Sequence, residues 1–160
     1  MPAPHRGTNA RARRQDRHRR GAAMVETAIT LMVFVTLVLG MLDLGLAVFR
    51  QQILSYAARR GVREAIVHGE FADRLGKWGP AQVSGTLDAL THPIKATLEP
   101  YVFGMNPQEV TVQVSWPDGS NQFKKRVQVT LTASYAPILT SLFGNIAIPL
   151  SAASTMAIAH

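Results

Sequence analysis

The residues that could do chemistry are few and scattered along this chain of 160 residues. Its five histidines provide no pair with metal-ligand spacing, and the absence of cysteine removes thiol nucleophiles, thiolate ligands and disulfides. No G-x-S-x-G nucleophile motif occurs. Gly76-Lys77 is not a phosphate-binding loop, because Phe71 stands where that motif needs glycine and Trp78 where it needs serine or threonine. We therefore expect no enzyme activity, no cofactor, no metal and no small-molecule substrate.

Two carboxylates have an unusual setting, because both lie in a strongly apolar run. From Ala22 to Phe49 the only charged residues are Glu26 and Asp43. A carboxylate at the centre of a bilayer costs about 2.5–3.5 kcal/mol. Glu26 lies in the first turn of the run, where the membrane interface and the helix dipole lower that cost, so its position alone leaves a special role open. Asp43 lies roughly 25 Å further along a helix and is a candidate helix-boundary acid that marks where lipid ends.

The apolar run that carries these acids is long enough to cross a membrane. About twenty apolar residues span the hydrocarbon core, and Thr27–Leu42 is uncharged throughout. A cleaved secretory signal has a shorter apolar region and a small-residue cleavage site, whereas this run ends at Phe49 and continues as Arg50-Gln51-Gln52. The sequence therefore predicts a single-pass membrane protein.

A basic tail precedes the predicted span. Met1–Arg20 contains one acid, Asp16, and seven arginines: Arg6, Arg11, Arg13, Arg14, Arg17, Arg19 and Arg20. The arginine excess favours a cytoplasmic N-terminus and a C-terminal domain on the periplasmic or extracellular side, although further arginines follow the span at positions 50, 59, 60 and 63. We predict that the tail is disordered, because it has almost nothing to bury. No aromatic residue lies among its arginines to stack on bases, which argues against nucleic-acid binding.

After the span, the periodicity indicates more helix and then a small α+β domain. Apolar residues spaced three and four apart predict that the long helix continues to His68. Gly69–Gly85 has the composition of a loop, and Thr86–Phe103 has a partly helical pattern that Pro93 interrupts.

In the C-terminal third, the spacing of apolar residues changes to a period of two. Val110–Trp116, Val127–Tyr135 and Ile146–Ile158 each alternate apolar and polar residues, which predicts a three-stranded antiparallel sheet with one buried face. The outer half of the long helix or the segment Thr86–Phe103 is expected to cover that face. The predicted divisions are a basic leader (1–21), a transmembrane and amphipathic helix (22–68), a loop with a short helix (69–105) and an antiparallel β region (106–160).

The start of the span carries a recognisable motif. Arg20-Gly21-Ala22-Ala23-Met24-Val25-Glu26 ends a basic leader in glycine and places a glutamate five residues later in an apolar helix. Asp43-Leu44-Gly45 and an Ala/Arg-rich helix from Ala57 to Ala65 follow in order. Together these parts resemble the TadE family of pseudopilins from tight-adherence (Flp) pilus systems, and the related TadG-like proteins share the anchor.

The resemblance implies a minor pilin or pseudopilin with a pilin-like fold, in the bacterial inner membrane. It implies that a prepilin peptidase cuts between Gly21 and Ala22, and that Glu26 then pairs with the new Ala22 amine of a neighbouring subunit. The implied partners are that peptidase, other pilin-like subunits and the pilus assembly platform. The alternative is an uncleaved single-pass module that binds a cell-envelope partner, in which Gly21 and Glu26 have no special role.

Overall fold

The computed structural model describes residues 8–141, 144 and 146–159, with the side chains of residues 21–139, 144 and 146–159. The chain divides into two units, Met1–Leu42 and Asp43–His160. Helix α1 (Thr8–Ala65) supplies the described part of the first unit and the beginning of the second.

In the first unit, α1 presents an apolar surface. Every described side chain from residue 21 to residue 38 is exposed. Three threonine hydroxyls in this stretch, those of Thr27, Thr30 and Thr36, donate to carbonyl oxygens four residues earlier at 2.9, 2.9 and 2.8 Å, so they are satisfied within the helix. Among the described residues, this is the one helix long and apolar enough to cross a membrane, which supports single-pass anchoring.

Both ends of α1 differ from the prediction. Residues 8–20 are helical, so the predicted disorder is wrong there, and Met1–Gly7 lies outside the described residues. Arginine and alanine are good helix formers, and extending an existing helix needs no new nucleus. At the other end the helix stops at Ala65 instead of His68. There the N–H groups of Val67 and His68 donate three residues back, at 3.3 and 3.2 Å, in a tighter turn.

The second unit contains a four-stranded antiparallel sheet in the order β1-β2-β3-β4. The strands are β1 (Val83–Thr86), β2 (Val110–Ser115), β3 (Arg126–Tyr135) and β4 (Ile148–Ala157). The predicted alternation is confirmed in β2 and β3, whose buried residues are Val110, Val112, Val114, Val127, Val129, Leu131, Ala133 and Tyr135. The α+β class is thus confirmed.

The predicted number of three strands is wrong, because β1 lies in the region interpreted as a loop. Its four residues include Gly85 and are too few to show a period of two. The strand exists through pairing, in which Val83 lies opposite Val114 and Thr86 opposite Thr111 of β2. Pairing with a distant segment is a tertiary effect that local composition does not reveal.

Two short helices accompany the sheet. The helix expected in Thr86–Phe103 is reduced to α2 (Ile94–Leu98) and a 3₁₀ turn, Glu99–Tyr101. Pro93 precedes α2 as its N-cap, which agrees with the predicted interruption. A second helix that the sequence does not predict, α3 (Ile138–Ser141), lies in the connection between β3 and β4.

The buried face of the sheet is covered by both expected elements. Residues of the outer half of α1, of α2 and of the sheet form one apolar core that includes Leu54, Ala58, Val62, Ile94, Leu98, Val129 and Leu131. Gly61 lies at the closest approach, where an added Cβ would be 2.9 Å from Leu98 Cδ2 and 3.3 Å from Val129 Cγ1. A glycine therefore lets α1 pack directly on α2 and β3, whereas Gly40 and Gly45 have open space around them.

Candidate functional site

The most elaborate polar site lies around Asp43, in the apolar run of α1. Only 7% of this residue is exposed, although most of its neighbours in the helix are exposed. The N–H of Ile138 donates to Asp43 Oδ1 at 2.8 Å and the N–H of Leu139 donates to Oδ2 at 2.7 Å. The Tyr135 hydroxyl lies 3.1 Å from Oδ1 and also 3.1 Å from the Asp43 carbonyl oxygen. We call these four residues the Asp43 cluster.

The donors in the Asp43 cluster are of the kind that a carboxylate binds best. Ile138 and Leu139 open α3, and the first N–H groups of a helix have no partner within it. Asp43 therefore caps α3 from a distant part of the chain, with charge-assisted hydrogen bonds of short length. The Asp43 carboxylate thus joins α1 to the end of β3, a contact that the sequence does not predict.

Tyr135 connects the Asp43 cluster to the remainder of the sheet. Its side chain is buried at the end of β3, and burial, followed by the hydrogen bond to Asp43, raises the pKa of its hydroxyl. The phenol therefore keeps its proton and remains a donor at neutral pH. The Arg50 guanidinium carbon lies 4.9 Å from the centre of the Tyr135 ring, one further contact between α1 and this strand.

Further polar contacts fasten α1 to the domain beyond the Asp43 cluster. Gln51 Nε2 donates to the Ser151 carbonyl oxygen of β4 at 2.7 Å. Arg60 Nε donates to the Tyr101 hydroxyl at 3.1 Å, and the Tyr56 ring meets the Tyr101 ring edge-on at 5.4 Å between centroids. The outer half of α1 is therefore an integral part of the domain.

The predicted processing residues lie in the first unit, on exposed helix. Gly21, Ala22 and Glu26 are all exposed, and a Cβ added at Gly21 would meet nothing within 4 Å. No described side chain forms an ion pair with Glu26. Ala22 and Glu26 are four residues apart and share one face of α1. The structure thus leaves both the Gly21–Ala22 bond and the Glu26 carboxylate accessible from outside the chain.

Two of the scattered histidines meet at a tryptophan. The His68 ring stacks on Trp78 with 4.0 Å between centroids, and the His92 ring meets Trp78 edge-on at 4.6 Å. His68 Nδ1 lies 2.7 Å from the Gly76 carbonyl oxygen. Burial, and then the proximity of His68, lowers the pKa of His92. This cluster packs the loop after α1 against the domain, and in the part of the chain that the structure describes no three His, Asp or Glu residues lie close enough together to hold a metal ion.

When the chain is compared with models of protein families, one region matches. Residues 21–63 match the family model described as TadE-like protein. The match begins at Gly21, includes Glu26 and Asp43, and ends in the Ala/Arg-rich part of α1. It supports the TadE-like prediction and gives no support to a TadG-like one. No curated protein and no solved structure matches the chain.

Proposed function

We propose that this chain, a TadE-like protein through residues 21–63, is a minor pilin or pseudopilin that acts in the assembly of a tight-adherence pilus system. One observation carries the proposal: the family match begins at Gly21, where the basic leader ends and the apolar helix begins. The family suggests association with such pilus systems, and a helix able to cross a membrane agrees with it.

The first step in this function is removal of the leader by a prepilin peptidase, between Gly21 and Ala22. Accessibility supports this step, since Gly21 is exposed and has open space around its Cα. The bond lies within a continuous helix, so the backbone must open locally to enter a protease cleft. Glycine favours that opening, because it lowers helix stability by about 1 kcal/mol relative to alanine.

The second step is association of processed helices within the membrane. Cleavage replaces the charged leader by an α-amine on Ala22, and such amines have a reference pKa of about 7.7–8.0, so most are protonated at neutral pH. The exposed Glu26 carboxylate is suited to pair with the Ala22 amine of a neighbouring subunit. That pairing would offset part of the cost of holding a carboxylate in lipid. The arginine bias of the leader supports a cytoplasmic N-terminus, and the TadE-like match supports an inner-membrane location.

The alternative, an uncleaved anchored module that binds a cell-envelope partner, is supported by a different observation. In the loop after α1, Phe71 and Leu75 are 70% and 62% exposed, and large exposed apolar side chains that lie close together are common at protein interfaces. In this alternative the leader stays attached and Gly21 has no special role.

Mass spectrometry of the protein purified from its host membranes distinguishes the two functions. We expect a mature chain that begins at Ala22. Gly21→Leu should retain the leader, because the added side chain obstructs the peptidase cleft. Gly40→Leu is the matched control, since Gly40 also lies in α1 with nothing within 4 Å of an added Cβ, and it should be processed normally. A wild-type N-terminus at Met1 or Pro2, or normal processing of Gly21→Leu, contradicts the proposal.

A further inference from the structure

The C-terminal part of the chain has an uneven charge distribution. From Val127 to Ala159, through β3, its connection to β4 and β4 itself, there is no Asp, Glu, Lys or Arg. About a quarter of the residues of an average soluble domain are charged. The turn between β2 and β3 is different, because it contains Asp118, Lys124 and Lys125. The sheet therefore has a charged connection at one end of β3 and an uncharged connection at the other.

The uncharged connection lies beside α1 at the level of Asp43. The N–H groups of Ile138 and Leu139 are 2.8 and 2.7 Å from the Asp43 carboxylate, so they share its position along the helix. Asp43 is the first charged residue after the uncharged run Thr27–Leu42, whose sixteen residues rise about 24 Å as a helix. A bilayer core is about 30 Å thick. When that run begins at one face of the core, Asp43 lies within about 6 Å of the other face.

The surface at this level is apolar. On the connection, Ile138 and Ile146 are 49% and 61% exposed, and Ile148, the first residue of β4, is 43% exposed. On the helix, Leu46 and Phe49 are 41% and 55% exposed. We call Ile138, Ile146 and Ile148 the connection face.

We propose that the connection face inserts into the interfacial layer of the bilayer beside α1, so that the domain binds lipid directly in addition to its anchor. The proposal rests on the membrane anchoring in the proposed function. Two observations favour lipid as the partner: the connection binds Asp43, the first charged residue after the apolar run, and it belongs to a segment without charge. Burial of apolar side chains at about 25 cal/mol per Å² would favour insertion.

The proposal also explains why the Asp43 carboxylate is enclosed. A carboxylate at the lipid boundary needs donors that water supplies poorly there, and the cluster supplies three of them from its own domain. The neighbouring strand β2 has no charged residue either, and the first charged residue before it is Glu109.

Site-directed spin labelling tests this placement, because the wild-type chain has no cysteine that would take up label. Full-length single-cysteine variants are reconstituted in vesicles of phosphatidylethanolamine and phosphatidylglycerol: Ile146→Cys on the connection face, Leu37→Cys in the apolar helix, and Phe123→Cys as the matched control. Phe123 is an apolar residue that is 50% exposed in the β2–β3 turn. Power saturation with oxygen and with a water-soluble nickel chelate gives the ratio of the two accessibilities at each label.

We expect a high oxygen-to-nickel ratio at Leu37, a low ratio at Phe123, and a ratio at Ile146 several-fold above that at Phe123. If the ratio is high at Leu37 but equal at Ile146 and Phe123, the lipid-binding face is wrong and the anchor remains. If the ratio at Leu37 is as low as that at Phe123, the anchoring is wrong, and the inference is wrong with it. A label at Ile146 that neither reagent reaches also overturns the inference, because a second copy of the chain or another protein then covers the face.

Discussion

Replacing Tyr135 by phenylalanine tests whether the Asp43 cluster stabilises the domain. The change removes one hydroxyl, 3.1 Å from Asp43 Oδ1, and leaves in place a ring that is 3% exposed. Hydrogen bonds to charged groups contribute about 1.5–3 kcal/mol. Because Ile138 and Leu139 still donate to the carboxylate, no charge is left without partners, and the lower end of that range applies. We expect Tyr135→Phe to lower the free energy of unfolding by about 1.5 kcal/mol.

The measurement is denaturant unfolding of the full chain in detergent, followed by tryptophan fluorescence. Trp78 and Trp116 are both buried in the second unit, so their emission reports on unfolding of the domain. Tyr56→Phe is the matched control, because it removes the same hydroxyl from an exposed ring on α1. The free energy of unfolding of this control should lie within about 0.5 kcal/mol of the wild-type value.

A double-mutant cycle with Asp43→Asn separates the hydrogen bond from a general effect of the substitution. Because the two side chains are in contact, the effects of Tyr135→Phe and Asp43→Asn should not add. Strict additivity, or equal losses in Tyr135→Phe and Tyr56→Phe, would refute the reasoning that the tyrosine stabilises the domain through Asp43.

Two more predictions concern other parts of the second unit. Hydrogen bonds from the guanidinium of Arg126, and then from its backbone N–H, lower the pKa of Asp118 from 3.8 to about 2. The stability that this carboxylate contributes is therefore complete above pH 3.8 and is lost as the pH falls towards 2. Unfolding midpoints of wild type and Asp118→Asn should differ at neutral pH and converge near pH 2, and a constant difference contradicts the assignment. Gly61→Leu should lower the free energy of unfolding by about 3 kcal/mol, because even a Cβ there lies 2.9 Å from a neighbouring side chain. Gly45→Leu, with nothing within 4 Å on the same helix, should have no such effect in the same titration, and equal effects would contradict the close packing.

The sequence predicts those features that depend on neighbouring residues. Alternation at every second position assigns the buried face of β2 and β3, because side chains of a strand point to opposite sides in turn. The uncharged run Thr27–Leu42 indicates a spanning helix, since length and apolarity are sufficient for that prediction. The motif around Gly21 is contiguous, so its resemblance to the TadE family is visible without a structure, and the match to residues 21–63 confirms it.

Features that depend on distant pairing are not visible in the sequence. Asp43 and Tyr135 are 92 residues apart, so no local pattern connects them. Strand β1 has only four residues and is recognisable as a strand only by its pairing with β2. His68 and His92 lack metal-ligand spacing in the sequence, and only the fold brings both into contact with Trp78.

The two acids of the apolar run have different surroundings, and under the proposed function their carboxylates obtain hydrogen-bond donors from different places. Asp43 is enclosed, and its donors come from its own chain. Glu26 is exposed on bare helix, so in a membrane its carboxylate must find donors at the interface or on another molecule. An intersubunit contact through Asp43 would first require the release of Tyr135, Ile138 and Leu139, whereas one through Glu26 requires no such release. Under the proposed function, Glu26 is therefore the acid suited to join subunits, and Asp43 is the acid suited to join the helix to its domain.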